Sequence, residues 1–339
     1  MRALWIKRHG GPSVLEVRES PDPTPGPGEV RIAVRACGLN FAELTARQGL
    51  YPDAPKPPCV VGYEGAGEID ALGEGVSLHE VGQRVMFMKR FGAFASSVCV
   101  PAAQVFRLPD AMSFEEGAAI PVNYLTAYHM IFRVARVRSG DHVLVHMAAG
   151  GVGTAALQLL STIEGVTTYG TASAGKHEYV RSHGCDHPID YRNADYAEEV
   201  RKLSGGRGMD AIFDALGGRD WKKGYDLLNE AGVLVAFGMA NVQTGGKRNL
   251  FHVLKQLWDV PKFSPMDMMS DNRGVAGVNL GHLWHRIDML AEELEDITRL
   301  HEAVKVTPYI DGVYPFSEST EAFGRLEWGK NQGKVILVP

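Results

Sequence analysis

Between His142 and Leu159 the chain passes from the apolar run Val143-Leu144-Val145 into Ala148-Ala149-Gly150-Gly151-Val152-Gly153. Small and apolar residues follow. An apolar strand, a glycine-rich turn and a helix, in that order, form the context of a dinucleotide site. Gly150 lets backbone approach a pyrophosphate, and Gly153 lets helix and strand pack closely. The helix start offers unpaired N–H groups and a positive dipole end to phosphate. Gly150, Gly151, Val152 and Gly153 are therefore the candidate phosphate cradle. Ala148 stands where the first fingerprint glycine would be, a change that a tight turn tolerates.

The end of the next strand decides between two cofactors. An NAD site carries Asp or Glu about 20 residues beyond the glycines, bonded to the ribose hydroxyl. Here that position falls on Ser173, within Tyr169-Gly170-Thr171-Ala172-Ser173-Ala174-Gly175-Lys176, and no acid is present. Ser173 and Lys176 supply a hydroxyl and a cation, and Tyr191 adds a phenol. A carboxylate would repel a 2′-phosphate, whereas these groups attract it. The cofactor expected is NADPH.

These residues need elements to hold them. At 339 residues the chain suits about two domains, with ample core. With 45% hydrophobic and 22% charged residues, the composition argues against disorder. A net charge of −5 and the absence of a basic block argue against nucleic acid. Cys37, Cys59, Cys99 and Cys185 include no Cys-x-x-Cys pair, so they read as buried thiols, not a zinc site or disulfide framework. No apolar run is long enough to span a bilayer, and the charged start does not read as a signal peptide. The expected compartment is the cytoplasm.

The first third is β-rich, with strands expected at 30–36, 67–72, 84–88 and 97–100 after a turn-rich loop at 21–30. From about 124 to 281 strands and helices alternate, which predicts βαβ units around a parallel sheet. The strands fall at 142–147, 167–171, 209–214, 233–238 and 273–279, and the helices at 153–163, 176–183, 196–203 and 220–228. A helix at 290–304 and strands at 307–313 and 334–338 close the chain. The cluster His183-Gly184-Cys185-Asp186-His187 reads as a helix-to-strand passage, not a metal site.

The sequence resembles the medium-chain dehydrogenase/reductase superfamily almost end to end. The motifs fall in family order: the Pro-Gly-x-Gly-Glu-Val start, Ala36-Cys37-Gly38-Leu39-Asn40-Phe41, Gly62-Tyr63-Glu64-Gly65-Ala66-Gly67, and the turn at 148–153. Within it, the chain is similar to the quinone oxidoreductase group and nearest the vesicle amine transport protein family. The motifs that carry this are Ala46-Arg47-Gln48-Gly49-Leu50-Tyr51, His187-Pro188-Ile189-Asp190-Tyr191 and Phe237-Gly238-Met239-Ala240-Asn241. The resemblance implies an α/β fold: a GroES-like β-barrel catalytic domain (1–123 and 282–339) plus a doubly wound Rossmann NADPH-binding domain (124–281). It also implies that Thr126, Gly238, Met239, Val278 and Leu280 lie along the nicotinamide, that Lys334 approaches the cofactor, and that the protein is a homodimer.

Zinc-dependent members place a Cys and a His where this sequence has Asn40 and Tyr63. Amide and phenol are poor zinc ligands, so no metal is expected. The reading that follows is hydride transfer from NADPH to a quinone or an α,β-unsaturated carbonyl, a small hydrophobic substrate. Charge growing on its oxygen needs hydrogen-bond donors. Asn40 and Tyr51 are the candidates, with Tyr63 behind them. The alternative, which the resemblance to the vesicle amine transport family implies, is an NADPH-binding protein of vesicles or membranes with weak or no turnover; the apolar stretch at 250–258 and the methionines at 266–269 would then touch lipid, a partner or a greasy substrate. The plainer view of that stretch is a helix over the cleft or a dimer contact.

Overall fold

The computed structural model describes residues 1–243 and 249–339. Among the described residues there are sixteen strands: β1 (Arg2–Ile6), β2 (Leu15–Glu19), β3 (Glu29–Leu39), β4 (Cys59–Val60), β5 (Glu64–Leu72), β6 (Arg84–Met88), β7 (Ser97–Pro101), β8 (Val105–Arg107), β9 (His142–Val145), β10 (Thr167–Ala172), β11 (His187–Asp190), β12 (Met209–Asp214), β13 (Leu228–Ala236), β14 (Gly274–Gly277), β15 (Ile310–Pro315) and β16 (Lys334–Val338).

They form three sheets. One is all parallel, in the order β11-β10-β9-β12-β13-β14. This is the doubly wound order, with its switch between β9 and β12, and ligands bind in the crevice beyond the strand ends there. The second sheet runs β15-β16-β3-β5-β6-β8, with β7 also on β3. Alternation builds its long strand: Val30, Ile32 and Val34 point into the core while their neighbours are less buried. The third sheet, β2-β1-β4, is antiparallel.

The parallel sheet uses residues 142–277, and the other two use 2–107 and 310–338. One core nevertheless runs across both parts. Ala36, Ala66 and Met86 share it with Val143, Val145 and Phe213, and with Leu290, Leu294 and Ile297 of helix Ile287–Glu302. Where the sequence pattern was strong, the elements agree closely. Helix Tyr196–Leu203 starts where Asp195 Oδ1 accepts from the Ala197 N–H at 2.8 Å. Strand β11 and a π-helical turn, His129–Ala135, were not expected from periodicity.

The apolar stretch at 250–258 is helix Leu250–Trp258, with no buried residue. Phe251 is 87% exposed and Trp258 89%. The helix's other face rests on the loops at Asn241 and Gly218, through His252 Nε2, 2.6 Å from Asn241 O, and Gln256 beside Gly218. Among the described residues, no helix is long and apolar enough to cross a membrane.

Helix Phe41–Gln48 is tied to helix Ser319–Glu327 by a buried ion pair. Arg47 Nη2 donates to Glu327 Oε1 at 2.9 Å, and Gln48 Nε2 donates to the same oxygen at 3.0 Å. The guanidinium also lies over the Phe323 ring. Removing one partner of such a pair costs about 3–5 kcal/mol. Arg47→Leu is therefore expected to lower the urea unfolding midpoint by that equivalent; an unchanged midpoint would show that the pair is not structural.

Candidate active site

The glycine-rich turn lies at the switch point. After β9 the backbone turns sharply at Met147, whose φ is 52°. The Ala148 N–H then donates to Thr171 O at 3.0 Å, and the Gly150 N–H to Met147 O at 2.8 Å. A Cβ on Gly153 would stand 2.4 Å from Met147 O and 2.7 Å from Ala148 Cα, so only glycine lets helix Gly151–Leu160 start this close to the strand. Gly151 packs against the Asn123 amide in the same way. Gly150 precedes the helix in extended conformation, with no side-chain cap. The first-turn N–H groups of Gly151, Val152 and Gly153 therefore face outward in the arrangement that binds phosphate. A dinucleotide's pyrophosphate fits this turn.

Beneath it lies a pair that periodicity did not reveal. His146 and Asp214 are fully buried at the ends of β9 and β12. His146 Nδ1 is 3.1 Å from Thr171 Oγ1, which also accepts from the Met147 N–H. Asp214 Oδ1 accepts from the N–H groups of Leu216 and Gly217. Both residues thus brace the turns that border the crevice.

Ser173 follows β10 directly and starts the turn Ala174–Lys176. Lys176 Nζ donates to Gly329 O at 2.9 Å and to Asn331 O. Burial lowers its pKa below that of a free lysine. Tyr191 is half exposed, and the Arg192 guanidinium lies 5.9 Å from its ring centroid. Arg192 was missed in the sequence, although it adjoins Tyr191. Asp190 pairs with Ala172 across the sheet. Its carboxylate accepts from Asn193 Nδ2 and from the Arg192 N–H, and these bonds hold it below the usual carboxylate range.

On the other side of the crevice Thr126 Oγ1 donates to Val122 O at 2.6 Å. Gly238 passes Ala215, and Met239 packs on Gly217. Val278 and Leu280 are buried, and the Val278 N–H continues the β13–β14 ladder to Ala236 O.

The opposing wall carries a buried polar cluster. Lys334 Nζ, with its residue 3% exposed, donates to Glu64 Oε1 at 2.5 Å and to Asn40 Oδ1 at 2.7 Å. Asn40 Nδ2 donates to Glu64 Oε1 at 2.9 Å and to Gly38 O at 3.4 Å. The Val122 N–H fills the second oxygen of Glu64. These neighbours settle the amide's orientation, because an ammonium needs an acceptor and a carboxylate a donor. Asn40 was expected to donate to substrate, but both of its amide protons turn inward. Lys334, expected to approach the cofactor, holds its ammonium in this cluster, next along the chain to Gly333, which pairs with Gly150 of the phosphate turn. A Cβ on Gly38 would stand 2.5 Å from Glu64 Oε1, so glycine makes room for the carboxylate.

Glu43, also fully buried, accepts the Asn40 N–H at 2.8 Å. Burial pushes its carboxyl up to about 8. The rings of Tyr51 and Tyr63 stand edge to face, their centroids 6.3 Å apart. Burial raises both phenols above their ordinary range, so they remain protonated donors at neutral pH. Among the described residues, no group of three or more His, Cys, Asp or Glu is placed to hold a metal. A zinc ion does not fit between an amide, a phenol and a buried ammonium.

Comparison with known proteins adds identity to this geometry. Residues 26–110 match the alcohol dehydrogenase GroES-like domain, and residues 183–337 match the zinc-binding dehydrogenase family. The chain is 46% identical to the synaptic vesicle membrane protein VAT-1 homolog of Rattus norvegicus, over all of this chain and 84% of that protein. The crystal structure of the human VAT-1 homolog-like protein is 36% identical with a TM-score of 0.87, covering 100% of this chain and 98% of the other. The Escherichia coli quinone oxidoreductase, solved in complex with NADPH, is 27% identical with a TM-score of 0.88 over the whole of both chains. The sheet of residues 142–277 is thus a Rossmann sheet, and the barrel before it is GroES-like.

The buried Glu43 makes stability depend on pH. The unfolded chain releases this proton near 4.5, whereas the folded chain holds it to about 8. Across that interval the folded state binds more protons, so stability falls as pH rises. Glu43→Gln keeps an acceptor for the Asn40 N–H and does not titrate. Its melting temperature is expected to decline less than the wild type's between pH 5 and 8; parallel curves would contradict the buried acid.

Proposed function

The chain belongs to the medium-chain dehydrogenase/reductase superfamily, among the relatives of VAT-1 and the quinone oxidoreductases, and on that premise we propose that it is an NADPH-dependent, metal-independent oxidoreductase acting on a quinone or an α,β-unsaturated carbonyl. One observation carries the reading: an uncapped glycine turn at the switch point lies beside a second-strand end that has Ser173 and Lys176 in place of an acid. NADPH, when bound, supplies the hydride. The cradle of Gly150, Gly151, Val152 and Gly153 holds its pyrophosphate, and Ser173, Lys176 and Tyr191 take the extra phosphate. Thr126, Gly238, Met239, Val278 and Leu280 shape the channel for the ring. We place the cofactor domain at 124–281 and the catalytic domain at 1–123 with 282–339.

Negative charge then grows on the substrate oxygen, and the chain must stabilise it without a Lewis acid. Tyr51 is the donor we assign, because its hydroxyl is protonated and half-buried beside Asn279. Tyr63 stands edge to face behind Tyr51 and fixes its ring. Asn40 is a positioning residue, locked by Lys334 and Glu64 so that the wall keeps its shape and charge.

A second reading has its own observation. The exposed apolar side chains Leu250, Phe251, Leu254, Leu257 and Trp258 lie shortly before β14, an edge strand of the parallel sheet. A second copy pairing along β14 covers both, which is the homodimer we favour. A membrane-associated protein with weak turnover is the alternative. Sedimentation as a dimer supports the first; a monomer that co-sediments with lipid vesicles supports the second.

The decisive assay is NADPH consumption across quinones, enones and enoyl thioesters. Turnover on at least one class is expected, and none on any class overturns the enzyme reading. Tyr51→Phe is expected to lower kcat about 10²-fold with NADPH affinity unchanged. Unchanged kcat would remove Tyr51 from the chemistry. Asn40→Ala should also lower turnover more than cofactor affinity.

A further inference from the structure

Residues 329–334 touch Lys176, the phosphate turn and the Asn40–Glu64 cluster in succession. At one end, Gly329 O and Asn331 O hold the ammonium of Lys176. An ammonium carries three protons, so one remains for a phosphate oxygen. In the middle, the Gly333 N–H donates to Ala149 O at 2.9 Å, and Gly333 pairs with Gly150 of the phosphate turn. At the other end, Lys334 carries its ammonium into the cluster with Asn40 and Glu64.

The segment is also braced along its length. Asn331 Nδ2 donates to Gly333 O at 3.0 Å, and the Gln332 N–H donates to Asp311 Oδ1 at 2.9 Å. Arg325 grips the same Asp311 through Nε and Nη2. The Lys334 N–H donates to Tyr309 O at 2.8 Å. Gly329 and Lys334 are thus joined by backbone that is hydrogen-bonded at Lys330, Asn331, Gln332 and Gly333.

We propose that residues 329–334 form a coupling strap: Lys176 grips it from the side that receives the extra phosphate, and Lys334 transmits its position to the polar cluster that orients Asn40. Lys176 is then a specificity residue that acts on hydride transfer as well as on binding. Lys334 and Asn331 are positioning residues. The inference rests on the NADPH reading above, but its first test needs no nucleotide.

That test is amide hydrogen exchange on the full chain. Lys176→Met removes two charge-assisted bonds to the strap. Without any nucleotide, exchange at Gln332, Gly333 and Lys334 is expected to quicken about tenfold, with a smaller rise at Asn40. Acceleration confined to 173–176 would overturn the strap. In the wild type, NADPH should slow exchange at 332–334 more than NADH does; equal slowing by the two would also overturn it. Failure of NADPH to bind at all would instead sink the cofactor reading, and the nucleotide-free comparison would still decide the strap. Asn331→Ala supplies a milder variant that touches no cofactor. It is expected to lower kcat at saturating NADPH several-fold, and its effect should not multiply with that of Lys176→Met. Independent, multiplying effects would count against coupling.

Discussion

The buried contact of Lys334 with Glu64 and Asn40 is the constraint on which the site depends. An ammonium withdrawn from water is costly unless a counter-charge and further hydrogen bonds meet it. Glu64 Oε1 and Asn40 Oδ1 do so at 2.5 and 2.7 Å. The arrangement needs three separate segments to converge: β3 with its following helix, the start of β5, and the start of β16. It also needs Gly38, because a side chain there would displace the carboxylate. The far C-terminal strand is thereby fixed against the first third of the chain.

In a chain matched by a zinc-binding dehydrogenase family, this cluster puts an amide and an ammonium where a metal would need thiolate or imidazole ligands. The Lys334 ammonium, the Glu64 carboxylate and the buried Glu43 carboxyl hold the wall in place, and Tyr51 stands beside it with the buried Tyr63 behind. The parallel sheet supplies the opposite wall at its switch point, where ends of β9, β10, β12 and β13 converge. Residues 329–334 run between the two walls. The proposed phosphate site and the polar cluster therefore share one piece of backbone.

The parts legible in the sequence were those whose signal is local. The strand, glycine turn and helix at 142–160 declare themselves within twenty residues. Strands at 209–214 and 334–338 and the helix at 196–203 were delimited to the residue by apolar pattern and flanking turn residues. What escaped was long-range. Asn40 and Lys334 are 294 positions apart, so no spacing rule could show that the amide faces an ammonium. Glu43 looked like an ordinary first-turn acid, and only its burial makes it unusual. Lys176 was read as a phosphate ligand from its charge, but its grip on the carbonyls of Gly329 and Asn331 depends on tertiary structure. Strand β11 is short and contains Pro188, which masks its periodicity.

The central claim is electrostatic: the crevice beyond β10 is built to receive a phosphate that NADH lacks. Titration of the purified chain with NADPH and with NADH, read by calorimetry, tests it most directly. Charge-assisted hydrogen bonds of this kind contribute about 1.5–3 kcal/mol each, so NADPH should bind at least about tenfold more tightly. Equal affinity, or a preference for NADH, would contradict the account.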